Sequence, residues 1–364
     1  MKEKKDIYEI LGEEIMKADI PEEEKVAQLE KLADSAKQQI NIMVVGATGS
    51  GKSSTINSIF DTGIADVGVG ADPETKELAY YRIGNLTIWD TPGIGDSADN
   101  DTAYSKLITD KLTETDEKGL PLIDLVLVVI DGSTKDLSST YRMITRIVAP
   151  CISEQDTNRI LIAVNQADIA MKGQHWDKEN NRPDEVLDRY LKDKCESIRR
   201  RIYETTGYKL NPVYYCAGYT DENNIQSKPY NLTKLLYHIV MSLPAKKRIA
   251  VAAGLNEDSD MWEYCDDDEN YADTLSQSFG EIFAQTTAEI AEKFALAGGV
   301  ALGVPGSIAG GIIGGIAGAV VGLFKGIFLQ FTSAEYSDED DQDDDCEDEE
   351  ADEDEQTEEY DEEN

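Results

Sequence analysis

The sequence predicts an α/β fold with a mostly parallel sheet, and two observations carry this prediction. Amphipathic helical stretches alternate with short apolar runs, as at 184–206, where Val186, Tyr190 and Ile198 fall on one stripe. The apolar runs have the length and composition of buried strands, at 40–45, 86–89, 125–130, 160–164 and 213–215. Strands and helices that alternate in this way form a parallel sheet covered by helices on both faces.

Helical patterns also flank the alternating region. Ile7, Leu11 and Ile15 recur at helical spacing, which predicts a helical N-terminal extension over residues 1–39. At the other end, residues 232–243 have the pattern of a closing helix, and Pro244 stops it. The main α/β domain is therefore expected to span residues 40–245.

Composition excludes several classes of function. The chain has 364 residues and a formal net charge of −39, which disfavours a surface that wraps nucleic acid, so no nucleic-acid partner is expected. The five cysteines form no CxxC pair, and there are only two histidines, which argues against a disulfide framework or a zinc site. No apolar leader follows the charged residues 1–5, so a cytoplasmic location is expected.

The C-terminal part changes character after Pro244. Residues 246–293 are expected to form an acidic linker and a helix, with the linker exposed at 256–270. Residues 332–364, which hold 21 acidic side chains, are expected to be a disordered tail.

Between these parts lies an apolar segment, residues 294–331, here called the glycine-rich segment. Glycines recur every four residues from Gly306 to Gly326, and residues 307–324 carry no charge. This small-xxx-small spacing is typical of helices that pack inside membranes, so membrane contact is predicted. The alternatives are a helical hairpin packed on the main domain and a low-complexity linker.

A phosphate-binding motif follows the first predicted strand. It fits the pattern GxxxxGK[ST] between a strand and a helix, the context that this motif requires. Glycines let backbone N–H groups converge on phosphate oxygens, Lys52 would reach the β- and γ-phosphates, and the Ser53 hydroxyl would bind Mg²⁺. The predicted nucleotide-binding residues here are Gly46, Ala47, Thr48, Gly49, Ser50, Gly51, Lys52, Ser53 and Ser54.

Further candidates for the phosphate side come next in the chain. Asp90, directly after the strand 86–89, can hold Mg²⁺ through water, and the Gly93 amide can reach the γ-phosphate. Thr75 is the candidate that closes on Mg²⁺ and the γ-phosphate. A turn-capping role for Thr75 after Pro73 is the alternative, and Thr62 is a weaker candidate. The expected catalytic residues are thus Lys52, Thr75 and Gly93, and the expected metal ligands are Ser53, Thr75 and Asp90.

Two later motifs indicate which nucleotide base the site recognises. Asn165-Gln166-Ala167-Asp168 follows the strand 160–164, and the Asp168 carboxylate can accept hydrogen bonds from guanine N1 and the exocyclic amine, which adenine cannot supply. Cys216-Ala217 follows the strand 213–215, where the Ala217 amide could meet the guanine carbonyl oxygen. An ordinary turn at a strand end remains the alternative for residues 165–168.

With these motifs in order, residues 40–245 resemble the translation-factor-like class of P-loop GTPases. Gly46 to Asn57 (GATGSGKSSTIN) is similar to the Era-like bacterial GTPases and to the septin-like and immunity-related GTPases. The resemblance implies a six-stranded, mostly parallel sheet, binding of GTP or GDP with Mg²⁺, and hydrolysis of GTP to GDP and phosphate by a molecular switch.

Two positions depart from that family. Gln166 stands where the family usually has lysine, so weaker nucleotide binding with unchanged base preference is expected. Ile94 stands where small signalling GTPases have a water-orienting glutamine, so intrinsic hydrolysis should be slow and helped by a partner or a second copy. The alternative function is a nucleotide-controlled effector that inserts into membranes or forms oligomers with negligible turnover.

Overall fold

The computed structural model describes residues 7–17, 21–64, 66–69, 78–93, 98–219, 227–256, 258–266 and 268–278. Several predicted features lie outside these residues: Thr75, Ile94, the part of the predicted helix beyond residue 278, the glycine-rich segment and the tail at 332–364.

The centre of the described structure is one sheet with the strand order β2-β3-β4-β1-β5-β6-β9. Its strands are β1 (Ile40–Gly46), β2 (Asp66–Val69), β3 (Ala79–Ile83), β4 (Leu86–Asp90), β5 (Leu125–Asp131), β6 (Ile160–Asn165) and β9 (Val213–Tyr214). A separate small hairpin consists of β7 (Trp176–Asp177) and β8 (Arg182–Pro183).

The α/β prediction is confirmed. The sheet contains strands at the five apolar runs and a sixth strand, β3, which makes up the number that the family resemblance implies. Strand β1 pairs in parallel with β4 and β5, and β6 pairs in parallel with β5 and β9. Strand β3 is antiparallel to β4, as expected for a mostly parallel sheet. The seventh strand, β2, adds a short antiparallel edge beside β3. Its sequence, Asp-Val-Gly-Val, is too short and too polar to have predicted a strand.

Helices cover both faces of the sheet. They are α1 (Ile7–Lys17), α2 (Glu22–Ser35), α3 (Lys52–Ile59), α4 (Ala98–Thr113), α5 (Ser138–Met143), α6 (Glu185–Thr206), α7 (Leu232–Ser242) and α8 (Ala245–Ala252), and residues 271–278 are also helical. Among the described residues, no helix is both long enough and apolar enough to cross a bilayer.

The N-terminal helices belong to the main core. Leu11 and Ile15 of α1 and Leu32 of α2 are buried in the same apolar cluster as the inward side chains of β1 and the residues of α8. The cluster on the opposite face joins β5 and β6 to α4 and α6. Alternate residues of each strand therefore point into different cores, as in any sheet buried on both faces.

The acidic stretch at 256–270 is not the exposed linker that the sequence predicted. Trp262 is only 2% exposed, and its indole nitrogen donates to the Asn256 carbonyl at 2.9 Å. Lys234 of α7 lies 2.6 Å from the Asp266 carboxylate and 3.0 Å from that of Asp268. The aromatic anchor and the lysine thus hold an acidic segment against α7, which a count of charges could not reveal.

Residues 254–256 are bonded to the end of α3. The amide of Asp61 donates to the Gly254 carbonyl at 3.0 Å, and the amide of Asn256 donates to the Ile59 carbonyl at 2.9 Å. Phe60 and Leu255 face each other in this short antiparallel bridge. The chain that leaves α8 is therefore attached directly to the helix that follows the phosphate-binding motif.

Burial lowers the pKa of His238 on α7 to about 4, with the nearby Lys234 charge acting in the same direction. A histidine that is harder to protonate when folded stabilises the protein above pH 6.5, and this contribution is lost as the pH falls towards 4. We expect His238→Gln to reduce the acid dependence of the unfolding free energy by up to about 1.4 kcal/mol per pH unit. Urea titrations between pH 7.5 and 5 measure this pH dependence. Identical slopes of the unfolding free energy against pH in the wild type and the variant would contradict the prediction.

Candidate functional site

The phosphate loop, residues Gly46–Ser53, leaves the carboxyl end of β1 and turns directly into α3. All seven residues of β1 are buried, so the position of the loop is fixed by the sheet. Gly49 and Gly51 have φ angles of +77° and +86°, in the left-handed region that favours glycine. Gly51 is also the residue that precedes α3, so the backbone N–H groups of the first helical turn face the loop.

Lys52 lies inside this loop. Its side chain is 8% exposed, and its ammonium donates to the carbonyls of Ala47 at 3.1 Å and Gly46 at 3.3 Å. The positive charge is thus held against two backbone carbonyls of the phosphate loop.

Ser53 and Asp90 meet at the edge of the loop. Strand β4 pairs with β1 so that Asp90 lies beside Val44, and the Ser53 hydroxyl donates to Asp90 Oδ2 at 3.0 Å. The other carboxylate oxygen, Oδ1, is buried and has no hydrogen-bond partner among the described residues. Burial raises the pKa of Asp90, while the Ser53 hydrogen bond and the Lys52 charge oppose that shift.

Gly93 lies against the phosphate loop. A Cβ at this position would be 2.6 Å from the Thr48 amide nitrogen and 2.5 Å from its Cα, closer than real side chains approach. The hydroxyl and amide of Thr91 both donate to the Val44 carbonyl, at 2.9 and 3.3 Å, which fixes the turn that brings Gly93 there. Glycine at 93 is therefore required by the close approach of two backbones.

Asn165 joins the two sides of the site. Asn165 is the last residue of β6, and its side-chain nitrogen donates to the Ser50 carbonyl in the phosphate loop at 3.1 Å. Its side-chain oxygen accepts the Ala217 amide at 3.0 Å. One buried side chain thus connects the phosphate loop to residues Cys216–Gly218, here called the base loop.

Gln166 makes a second connection to the phosphate loop. Its backbone is left-handed, with φ +62°, and its side-chain nitrogen donates to the Gly49 carbonyl at 2.8 Å. A Cβ on Gly51 would collide with the side chain of Asn165. The loop and residues 165–166 are therefore in close contact, which also explains why a glycine stands at position 51.

Asp168 and Cys216 are neighbours on the base side. The amide of Ala167 donates to the Tyr215 carbonyl at 3.1 Å, which places the Asp168 turn beside the base loop. Burial and the adjacent Asp168 carboxylate raise the pKa of the Cys216 thiol well above its usual range. Cys216 is thus a protonated thiol, and its sulfur accepts the Gly218 amide at 3.4 Å.

The structure brings most of the predicted site residues to one edge of the sheet. Residues 46–54, Asp90, Gly93, 165–168 and 216–217 surround one region, whereas Thr75 lies outside the described residues. Thr62, the weaker candidate, donates to the Asn57 side chain at 3.0 Å.

Three polar residues next to the site were missed by the sequence analysis. They are Thr55 and Ser58 on α3 and Tyr215 before the base loop, and all are buried. The only signal in the sequence is the recurrence of hydroxyl side chains three residues apart on the helix that follows the phosphate loop.

Parts of the chain are similar to known proteins. Residues 41–166 match the family model described as a 50S ribosome-binding GTPase. Cell division control protein 10 of Saccharomyces cerevisiae is 31% identical over 152 residues, 33% of this chain and 47% of that protein. T-cell-specific guanine nucleotide triphosphate-binding protein 2 of Mus musculus is 26% identical over 230 residues, which cover 61% of this chain and 49% of that protein. YfjP of Escherichia coli, an uncharacterised protein, is 30% identical over 144 residues, which cover 36% of this chain and 46% of that protein.

The chain spans about half the length of the curated relatives it matches. Among solved structures, the G domain of the FeoB iron transporter of T. maritima aligns with 56% of this chain and 99% of its own, at 15% identity and a TM-score of 0.32. Toc33 from Arabidopsis thaliana aligns with 66% of this chain and 93% of its own, at 16% identity and a TM-score of 0.38.

A phosphate loop between a buried strand and a helix, an aspartate beside its serine, and an Asn-Gln-Ala-Asp turn hydrogen-bonded to the loop occur here in one site. The segment that matches the family model ends at Gln166, inside this turn. Residues 41–166 match a P-loop GTPase domain.

Proposed function

We propose that the protein is a molecular switch that binds GTP with Mg²⁺ and hydrolyses it to GDP and phosphate. The observation that carries the proposal is the Asn165 side chain, which joins the phosphate loop to the base loop at 3.1 and 3.0 Å. A nucleotide that occupies both loops would fill one continuous site. The name of the mouse relative, a guanine nucleotide triphosphate-binding protein, supports the same ligand class.

The residues around Ser53 fit a Mg²⁺ ion. The buried Oδ1 of Asp90 lacks a partner among the described residues, and the hydroxyl of Ser53 lies on the other carboxylate oxygen. A hydroxyl and a carboxylate beside a phosphate loop are the protein groups that hold Mg²⁺ in P-loop enzymes, with phosphate oxygens as further ligands. When bound there, the ion would neutralise charge on the phosphates.

The chain's own residues would act on the two ends of the nucleotide. Lys52 would place its charge on the β- and γ-phosphates, and the Gly93 amide and Thr75 would contact the γ-phosphate. On the base side, Asp168 would accept from guanine N1 and the exocyclic amine. The Ala217 amide, which the sequence analysis placed against the guanine carbonyl oxygen, donates to the Asn165 side chain instead, at 3.0 Å. Cys216 and Gln166 support these loops, through Asp168 and Gly49 respectively.

Slow intrinsic turnover follows from Ile94, because an apolar side chain cannot orient the attacking water. We therefore also propose that GTP-bound molecules self-associate and that a second copy supplies the missing group. The glycine-rich segment would anchor these assemblies to a membrane, since its spacing is that of closely packed membrane helices. The protein would then be cytoplasmic and membrane-associated.

The second candidate function is a membrane-inserting or oligomer-forming effector that binds nucleotide with negligible turnover. The spacing of glycines in residues 294–331 favours it as much as it favours the switch. Turnover in the presence of membranes separates the two candidates.

Base choice tests the role of Asp168. We expect Asp168→Asn to weaken GTP binding at least about tenfold and to favour xanthosine triphosphate, whose C2 carbonyl can accept the new amide donor. Competition titrations with GTP, ATP and xanthosine triphosphate measure it. Lys52→Ala is the control, because it should weaken all three nucleotides alike. Equal competition by ATP and GTP against the wild type would refute the guanine assignment.

The metal role of Asp90 is separable from its effect on stability. Because burial raises the pKa of Asp90, its ionised form costs stability at pH 7, so Asp90→Asn should leave the nucleotide-free protein as stable or up to about 1 kcal/mol more stable. The same change should weaken Mg²⁺-dependent GTP binding by roughly ten- to a hundredfold.

Asp124→Asn is the matched control for Asp90→Asn. Asp124 pairs with Lys247 at 2.6 Å and accepts the Asn41 amide at 3.0 Å, away from the phosphate loop. This variant should lower the melting temperature without changing the Mg²⁺ dependence. A loss of Mg²⁺ dependence in both variants, or in neither, would argue against the metal site.

Self-association and membrane contact are tested by specific GTPase activity against protein concentration, with and without anionic phospholipid vesicles. The molecular-switch proposal predicts that specific activity rises with protein concentration and that the protein sediments with vesicles when GTP is present. Negligible activity with vesicle binding would favour the effector. Constant specific activity with no sedimentation would leave a simple monomeric GTPase.

A further inference from the structure

Two hydroxyl side chains of α3 face the base side of the site. Thr55 and Ser58 are three residues apart and therefore share one helix face, and both are buried. They lie between the phosphate loop, which precedes α3, and the base loop, which follows β9. Neither residue is expected to touch a nucleotide.

The first contact runs from Tyr215 to the phosphate loop. The Tyr215 hydroxyl lies 2.6 Å from the Thr55 hydroxyl, which in turn donates to the Gly51 carbonyl at 2.8 Å. Since the one hydroxyl proton of Thr55 is used on Gly51, Tyr215 is the donor to Thr55. The backbone of Tyr215 is held by β6, through a hydrogen bond from its amide to the Val164 carbonyl at 2.8 Å.

The second contact holds the base loop itself. The Ser58 hydroxyl lies 2.6 Å from the Ala217 carbonyl and 2.8 Å from the Ser54 carbonyl, and it donates its single proton to this pair. The Ala217 amide is already bonded to Asn165. The carbonyl of Ala217 is thus held by α3 and its amide by the last residue of β6.

Such contacts are rigid because they are buried. A hydroxyl or carbonyl that loses its partner in the interior cannot turn to water, so the alternative positions of the base loop are costly. Tyr215 is fully buried, and burial raises its pKa, so it remains a protonated donor at any working pH. The separation between the phosphate and base subsites is therefore fixed in the folded protein.

We propose that Thr55, Ser58 and Tyr215 form a hydroxyl clamp that positions the base loop and Asp168, and so sets the discrimination for guanine. The inference rests on the proposed function, because it assumes that the site binds a guanine nucleotide. The three residues are positioning residues. Ser58 holds the Ala217 carbonyl, and the Tyr215 carbonyl accepts the Ala167 amide and so holds the Asp168 turn. The contacts of Asp168 with the base require alignment to within about 0.5 Å.

The alternative is that the clamp only stabilises the fold. The two views differ for inosine triphosphate, which lacks the exocyclic amine and therefore loses one of the bonds to Asp168. If the clamp positions the Asp168 turn, its loss weakens GTP more than inosine triphosphate, whereas a general loss of stability weakens both nucleotides equally.

The experiment measures dissociation constants of both nucleotides for Tyr215→Phe and Ser58→Ala in the full chain. We expect the preference for GTP over inosine triphosphate to fall by about three- to tenfold in each variant. The matched controls are Tyr208→Phe, which removes a buried hydroxyl bonded to the Ile152 carbonyl at 2.7 Å, and Ser276→Ala, whose hydroxyl bonds to the Ala272 carbonyl at 2.8 Å. Both controls should keep the wild-type preference.

Thr55 offers a rescue test that changes little volume. Thr55→Ser keeps the hydroxyl and should keep the preference for GTP, whereas Thr55→Val keeps the shape, removes the hydroxyl and should lose it. Thermal melting in the absence of nucleotide reports the structural cost of each change separately.

Two results would overturn the clamp: equal weakening of GTP and inosine triphosphate in Tyr215→Phe and Ser58→Ala, or identical preferences in Thr55→Ser and Thr55→Val. If Tyr215→Phe fails to fold, Ser58→Ala and the Thr55 pair decide the matter. A wild-type protein that does not prefer GTP to ATP would refute the proposed function instead, so the two failures are distinguishable.

Discussion

The parallel pairing of β1 with β4 on one side and β5 on the other is the constraint on which the site depends. Since parallel strands end at the same edge of a sheet, the register places Asp90 beside Val44 and Asn165 beside Asp131. The phosphate loop leaves this edge between those two residues. A slip of one residue in the β1–β4 or the β5–β6 pairing would turn Asp90 or Asn165 to the opposite face and separate the two halves of the site.

The elements that sequence could predict are those with a strong local signal. Residues 125–130 and 160–164 are continuous apolar runs, because strands buried on both faces need no polar alternation. The short edge strand β2 and the packed stretch around Trp262 were not predicted. In both, pairing or packing with distant residues decides the structure, and the local composition of β2 and of residues 256–270 is that of a turn or an exposed linker.

The same division holds for the site. The phosphate loop, Asp90 and residues 165–168 follow strands and carry their chemistry in a few adjacent residues, so their position could be predicted from sequence. The partners of Asn165, the turn of Gln166 onto Gly49 and the contact of Tyr215 with Thr55 depend on how β6, β9 and α3 pack. No local pattern encodes a distance between elements that are 160 residues apart.

The short bridge between Phe60 and Leu255 has a consequence for cooperativity. One apolar cluster contains Leu11 of the first helix, Phe60 at the end of α3, and Leu275 near the end of the described chain. Side chains that share one core become exposed to water together when that core opens, so we expect these parts to unfold as a single unit. A fragment cut at residues 40 and 245 would expose apolar surface at both cuts, although its motifs would be complete. We therefore expect the smallest piece that melts in one transition to extend from the first helix at least to Leu275.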